Sequence, residues 1–317
     1  MALAGDTMLG RSVAERPILA GPESLVHPDV VATAQAADLF VLNLECCISD
    51  RGAPWPRSDK PFFFRAPPAA VGVLNHLGVD CVTLANNHAL DFGEVALLDT
   101  FEHLTAGGIA WVGAGPDVER ARRPVVLEAD GFRLAVMGVT DHPEDFAAGP
   151  RRPGVAYADL WNEVPGWLID GVSEARSRAD AVLMTPHWGP NMTPEPVPHV
   201  RQAAPALVAA GATLVAGHSA HVFHGIQGPV LFDLGDFLDD YAVDPELRND
   251  LGLLFLVTLD QGGPIRVEAV PLRLEFCFTR PAEGDEVAWI GRRFRDACAA
   301  MGTQVQEEGG RLVVQLR

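Results

Sequence analysis

Short apolar runs that end abruptly in Gly, Asn, Asp or His alternate along the first two thirds of this chain with stretches of helical spacing. Val41 to Leu44, Cys81 to Ala85, Ala181 to Met184 and Leu214 to Ala216 read as strands buried on both faces. Between them, Pro67-Pro68 opens a helix that places Val71, Leu74 and Leu77 on one face and stops at Gly78. Leu97, Leu98, Phe101 and Leu104 mark a second helix before Gly107-Gly108. Val164, Trp167, Leu168 and Val172 mark a third, starting near Glu163, and Val200, Ala204, Leu207 and Val208 a fourth before Gly211. Late in the chain, Val287, Ile290, Phe294, Ala297 and Met301 recur at helical spacing. Val230 to Leu234, Leu253 to Leu259 and Ile265 to Leu272 read as strands with little helix between them, which predicts a second, more antiparallel sheet. Two sheets packed together with helices outside accommodate both patterns. The Pro-rich stretch from Ala53 to Pro68 reads as a surface loop over the functional rim.

The polar residues that end the strands carry the chemistry. Leu3-Ala4 runs into Gly5-Asp6, Val41-Leu42 into Asn43-Leu44-Glu45, and Val82 to Ala85 into Asn86-Asn87-His88. Val182 to Met184 leads toward His187-Trp188-Gly189, and Val215-Ala216 into Gly217-His218-Ser219-Ala220-His221. Ligands bind outside the carboxyl ends of strands in open α/β sheets, so these five ends share one crevice if the strands are parallel neighbours. One strand-end Asp or His is ordinarily a turn or core residue. Five together are costly to bury without a task.

Composition narrows the class. The 317 residues suit one large domain or two smaller ones, and a formal net charge of −18 disfavours nucleic acid and anionic membrane as partners. Lys60 is the sole lysine and no P-loop motif occurs, which excludes a P-loop nucleotidase. The five cysteines, Cys46, Cys47, Cys81, Cys277 and Cys298, form no CxxC pair, and the chain opens directly on Met1-Ala-Leu-Ala-Gly-Asp; a cytoplasmic location is the expectation.

The order Gly-Asp, Asn-Leu-Glu, Asn-Asn-His, His-Trp-Gly, Gly-His-x-x-His resembles the CapA-like family of capsule and poly-γ-glutamate biosynthesis proteins, relatives of the calcineurin-like metallophosphoesterases. The resemblance runs from Gly5 to roughly Asp250 and implies a four-layer α/β/β/α sandwich. Residues 1–317 are expected to form one domain, with 276–317 a C-terminal helix and strand packed on it. By the same resemblance Asp6, Glu45, Asn87, His187, His218 and His221 match metal-holding positions, and His88 a proton donor or charge stabiliser. The chain departs from the phosphoesterase pattern at Asp6-Thr7-Met8, where phosphoesterases usually have Asp-x-His, and at Asn43-Leu44-Glu45-Cys46-Cys47, where they have Gly-Asp-x-x-Asp. A literal Gly-Asp-x-x-Asp, Gly235 to Asp239, follows the histidine pair and is read as a different element. The set leaves room for one metal ion, two, or none.

With ligands eroded, Asp6, Glu45, Cys46, Cys47, Asn87, His88, His187, His218 and His221 are expected to form a proton-transfer pocket. Inverting an α-carbon needs a base on one face and an acid on the other, and a cysteine serves if a histidine stabilises its thiolate. Cytosolic relatives are similar to epimerases of ribosomal peptides, including those of the lasso-peptide type, that act without metal or cofactor. The favoured expectation is therefore cofactor-free L-to-D epimerisation in a peptide or amino-acid polymer. A Mn- or Zn-dependent phosphoesterase or hydrolase is the alternative, and a non-catalytic polymer-synthase subunit the third. Trp55, Lys60, Phe63, Arg65 and Trp188 are the expected substrate contacts.

Overall fold

The computed structural model describes residues 1–56 and 60–317; Arg57, Ser58 and Asp59 of the Pro-rich loop, and the side chains of Ile18 and Leu19, lie outside the described residues. Two sheets dominate, one of ten strands and one of six among those residues. In the first, Ala2–Thr7 runs parallel to Phe40–Leu44, which is parallel to Cys81–Thr83, which is parallel to Ala110–Val112. In the second, Phe132–Thr140, Ala181–His187, Leu214–Ala216 and Val230–Leu231 are successive parallel neighbours.

The period-two alternation of buried residues sorts the layers. Leu3, Val41, Val136 and Leu183 point between the sheets and meet Phe255, Ile290 and Phe294. Their neighbours Ala2, Ala4, Leu42 and Val82 face outward onto helices Pro28–Gln35, Ala70–Leu77 and Gly93–Ala106. On the far side Met137, Val182 and Met184 pack against helices Gly166–Arg178 and Pro198–Ala210. The layers are thus helix, sheet, sheet, helix. Each large side chain buried here contributes about 1.5–3 kcal/mol.

The division of strands corrects the sequence reading. The antiparallel pair Leu251–Asp260 and Gly263–Glu275 extends the first sheet, Leu251–Asp260 pairing antiparallel with Ala2–Thr7. It does not build a second sheet, and the six-stranded sheet is mainly parallel. Apolar periodicity reports that a strand is buried but not which neighbour it pairs with. The strand ends therefore divide between the sheets, three on one and two on the other, and converge because both sheets present their carboxyl ends at one rim.

Close approach of backbones builds that rim. Asp236–Leu238 pairs in parallel with Ala2–Thr7, and a Cβ at Gly5 would overlap the Gly235 carbonyl oxygen. The helix Asp285–Ala299 sends Ile290, Phe294 and Cys298 into the inter-sheet core, and Arg311–Gln315 pairs with Gly263–Glu275. No described helix is long and apolar enough to cross a membrane.

Candidate metal centre

Asp6 is the hub of the rim. It ends its strand almost fully buried, accepting hydrogen bonds from Asn43 Nδ2 at 2.7 Å and from the Ser219 amide at 3.3 Å. Asn43 is in turn fixed by Asn86, whose Nδ2 donates to Asn43 Oδ1 at 2.9 Å and to the Leu44 carbonyl. Adjacent strands of the first sheet thus orient one carboxylate through two buried amides.

Two groups share this carboxylate. Asp6, His187 and His218 each offer a ligand atom within 4.8 Å of the others, as do Asp6, His221 and Asp236. His187 Nδ1 and His218 Nδ1 stand 2.8 Å apart, and His218 Nδ1 is 3.7 Å from Asp6 Oδ1. The 2.8 Å separation is that of a hydrogen bond between the two rings, and it leaves His187 Nε2 and His218 Nε2 as their unpartnered nitrogens. His221 Nδ1 lies 2.7 Å from Asp236 Oδ1 and 3.3 Å from Asp6 Oδ2. Glu45 Oε1 is 4.0 Å from both His88 Nε2 and His187 Nε2, and Tyr241 donates its hydroxyl to Glu45 Oε2 at 3.3 Å.

Whether these residues fit a divalent ion is tested by atoms left over. Glu45 Oε1, Asn87 Oδ1, Asp236 Oδ2 and His187 Nε2 are buried without a hydrogen-bond partner. A buried polar atom left unpaired costs about 1–3 kcal/mol, more if charged, so the Glu45, Asp236 and His187 atoms in the neighbourhood of Asp6 are unfavourable unless a cation satisfies them. The donors are oxygen and imidazole nitrogen, a mixture that suits Mn or Zn. The residues fit.

The electrostatics agree. Burial pushes the Glu45 carboxyl well above the usual range, and nearby Asp6 adds to it. Burial likewise raises Asp6 and Asp236, against the pull of His221. Burial draws His221 down, but Asp236, Glu45 and Asp6 outweigh it and hold His221 well above the ordinary histidine range. A cation bound there would take the place of the His221 proton in balancing Asp6, Glu45 and Asp236. Its loop is strained, with φ at Ser219 of 120° and at His221 of 59°, about 1–3 kcal/mol each. Asp233 secures that loop by accepting from the amides of Ala220 and Gly235.

At the rim, Lys60, Phe62, Asn87, His88, His142 and Phe146 help line a cleft of about 220 Å³. His88 Nδ1 is 2.6 Å from Asp91 Oδ2, its ring stacks on Phe64 at 3.9 Å, and burial pushes its pKa down to about 4. Lys60 Nζ sits 2.9 Å from Asp91 Oδ1 and donates to the Asn87 carbonyl at 2.6 Å. His142 Nδ1 is likewise 2.5 Å from Asp141 Oδ1, and Asp141 also meets His199 Nε2 at 3.0 Å. The cleft is lined by two histidines that each have one ring nitrogen committed to a carboxylate.

Several expected residues lie elsewhere. Cys46 and Cys47 are fully buried; burial raises both thiols, Cys47 to about 12, so neither is a thiolate at neutral pH. Trp188 is 2% exposed, packs under the second sheet and donates its indole N–H to the Phe232 carbonyl, so it is a core residue and not a substrate contact. Phe63 and Arg65 turn toward Phe92 instead of the cleft. Trp55 stands behind the cleft wall, against Phe146 and Asp145. Of the five expected contacts, Lys60 alone lines the cleft.

The sequence reading also passed over functional residues. Asp236 belongs to the Gly-Asp-x-x-Asp set aside as a different element; parallel pairing beside Ala2–Thr7 brings it to Asp6. Asp141 and His142 end a sixth strand, and Val139-Thr140-Asp141-His142 carries the same apolar-to-polar signal as the other five.

The family model for "Bacterial capsule synthesis protein PGA_cap" matches residues 1–241, a span that includes every candidate ligand named above. The chain is 31% identical over 290 residues to the probable polyglutamine synthesis accessory protein of Mycobacterium tuberculosis, covering 85% of this chain and 75% of that one. It is 29% identical over 289 residues to the PGA biosynthesis protein CapA of Bacillus subtilis, covering 89% and 73%. A solved structure of a hypothetical protein from Thermus thermophilus aligns with 89% of this chain and 95% of its own at 14% identity and a TM-score of 0.44. With its strand-end motifs, its layered sheets and this matched span, the chain belongs to the PGA_cap family of bacterial capsule synthesis proteins.

Proposed function

We propose that the chain is a divalent-metal-dependent hydrolase acting on an amino-acid polymer of the poly-γ-glutamate type. One observation carries the reading: Asp236 and His187, which share candidate ligand groups with Asp6, and Glu45, 4.0 Å from His187, each keep a buried atom without a hydrogen-bond partner. Asp6, His187 and His218 would hold one ion; Asp6, His221 and Asp236 mark a second position; Glu45 and Asn87 complete the set. A bound divalent ion supplies Lewis acidity and lowers the pKa of its water. The chain's own residues do the rest. Lys60 and Asn87 face the substrate at the mouth of the cleft. His88, kept neutral by burial and with Nδ1 committed to Asp91, accepts a proton at Nε2. His142, with Nδ1 fixed by Asp141, is the second proton-transfer group, able to return a proton to a leaving amine.

The test is hydrolysis of poly-γ-glutamate followed by the appearance of new amino termini. Activity is expected with Mn or Zn, to be lost in EDTA, and to return on adding metal. Polymer left intact by metal-loaded protein would overturn the reading.

The paired Asp91–His88 and Asp141–His142 units also favour a second reading, epimerisation at a peptide Cα by two proton-transfer groups on one cleft. That reaction incorporates solvent deuterium at Cα in the presence of EDTA. Loss of exchange with the metal would exclude it.

A further inference from the structure

A second cleft, about 490 Å³, opens behind the loop that follows His187-Trp188-Gly189. The helix Asp285–Ala299 forms one wall with Trp289, Arg292 and Arg293. Pro194 and Arg201 form part of the other, and Met301 closes the end. On a chain with 42 acidic and 24 basic residues, three guanidinium groups around one cleft are a local reversal of charge.

One of these cations has an ion pair and two have none among the described residues. Arg201 pairs with Glu195 at 3.2 Å. Arg293 is without an ion pair among the described residues: its guanidinium lies over the rings of Phe223 at 5.4 Å and Trp289 at 5.6 Å, and its Nη2 is buried with no hydrogen-bond partner. Burial lowers its pKa, as expected of a cation stripped of water and given no counter-charge. Arg292 is exposed and also has no ion pair among the described residues. Behind the cleft, His224 is 5% exposed, bonded through Nε2 to the Thr193 carbonyl, with Nδ1 buried and unpartnered. Glu195 and Asp296 are the carboxylates of the lining. A half-buried guanidinium facing an open cleft in this way is the usual receptor for a carboxylate or phosphate.

We propose that this cleft is a second binding site, for the carboxylates of an acidic peptide chain, held by Arg292 and Arg293 over the Trp289 floor. Its volume exceeds what a single inorganic ion fills, and its Pro194, Trp289 and Met301 surface suits an organic backbone. The loop also connects the two clefts, because Asn191 lines the metal cleft while Pro194 to Pro196 line this one. A polymer threaded past the metal centre has this route along the surface. The helix that carries the arginines lies beyond the stretch matched by the family model. The acidic-peptide identity rests on the polymer reading above; the existence of the site does not.

The test is fluorescence anisotropy of a labelled glutamate hexamer titrated with the full-length protein in EDTA at low salt. Saturable binding is expected, weakened about tenfold or more in Arg292→Glu and in Arg293→Lys, weakened by added salt as screening requires, and unchanged in Asp6→Asn. Arg292 is exposed, so its variant folds even if Arg293→Lys is destabilised. A glutamine hexamer binding equally well, wild-type affinity in both arginine variants, or loss of binding in Asp6→Asn would each overturn the proposal. Displacement by tripolyphosphate at concentrations below those at which the hexamer itself binds would overturn the peptide assignment. Because no metal or turnover is required, these outcomes are separable from failure of the hydrolase reading.

Discussion

Asn43 makes no expected contact with substrate, yet it holds Asp6 at 2.7 Å and is itself held by Asn86. Residues that orient a ligand in this way typically control metal affinity by about 10–100-fold. Asn43→Ala is therefore expected to weaken Mn or Zn binding about 10–100-fold with the fold intact, as read by calorimetric titration; unchanged affinity would remove Asn43 from the centre. The cysteines point the other way. With Cys47 held near 12, its thiolate fraction at pH 7 is roughly one in 10⁵, and Cys46 is buried deeper. Cys46→Ala and Cys47→Ala are expected to leave turnover within about twofold, whereas a thiolate base would lose orders of magnitude. Asp91→Asn frees the His88 ring and is expected to lower turnover by roughly 10²-fold or more at unchanged metal content.

At the scale of elements, the rim depends on how closely two backbones approach. Gly5→Ala would drive a methyl into the Gly235 carbonyl where Asp236–Leu238 joins Ala2–Thr7, displacing Asp236 from Asp6. Destabilisation of about 1–3 kcal/mol is expected in denaturant unfolding, with loss of metal affinity beyond that of a distant core variant. The same junction shows what a sequence conveys. Buried strands and polar strand ends are legible, because apolar alternation and abrupt Asp, Asn and His termini are local signals. The helices at Ala70–Leu77, Pro198–Ala210 and Asp285–Ala299 are legible for the same reason. Pairing is not. Nothing local in Gly235-Asp236 states that it lies beside Ala2–Thr7, and nothing in Leu251–Asp260 states which sheet it joins. Trp188 resembles a site residue by adjacency to His187, but successive side chains at a strand end face opposite sides, and its side faces the helices.

For the molecule as a whole, the two sheets hold the proposed ligands in place around a cluster of acidic groups that a cation would balance. Asp6 and Glu45 come from the first sheet, and His187 and His218 from the second, so an ion bound among them ties the layers together. A ligand that binds only the folded state stabilises it by RT ln(1 + [L]/Kd), about 2.7 kcal/mol at a hundredfold excess over Kd. Thermal unfolding is thus expected to shift upward with Mn or Zn and not with Na, and the shift is expected to vanish in Asp6→Asn. The most direct measurement is metal content by mass spectrometry of the full chain and Asp6→Asn, each equilibrated with Mn and Zn and then desalted. At least one tightly held ion per wild-type chain and none in Asp6→Asn is expected; equal, negligible metal in both would rule out a metal centre at Asp6.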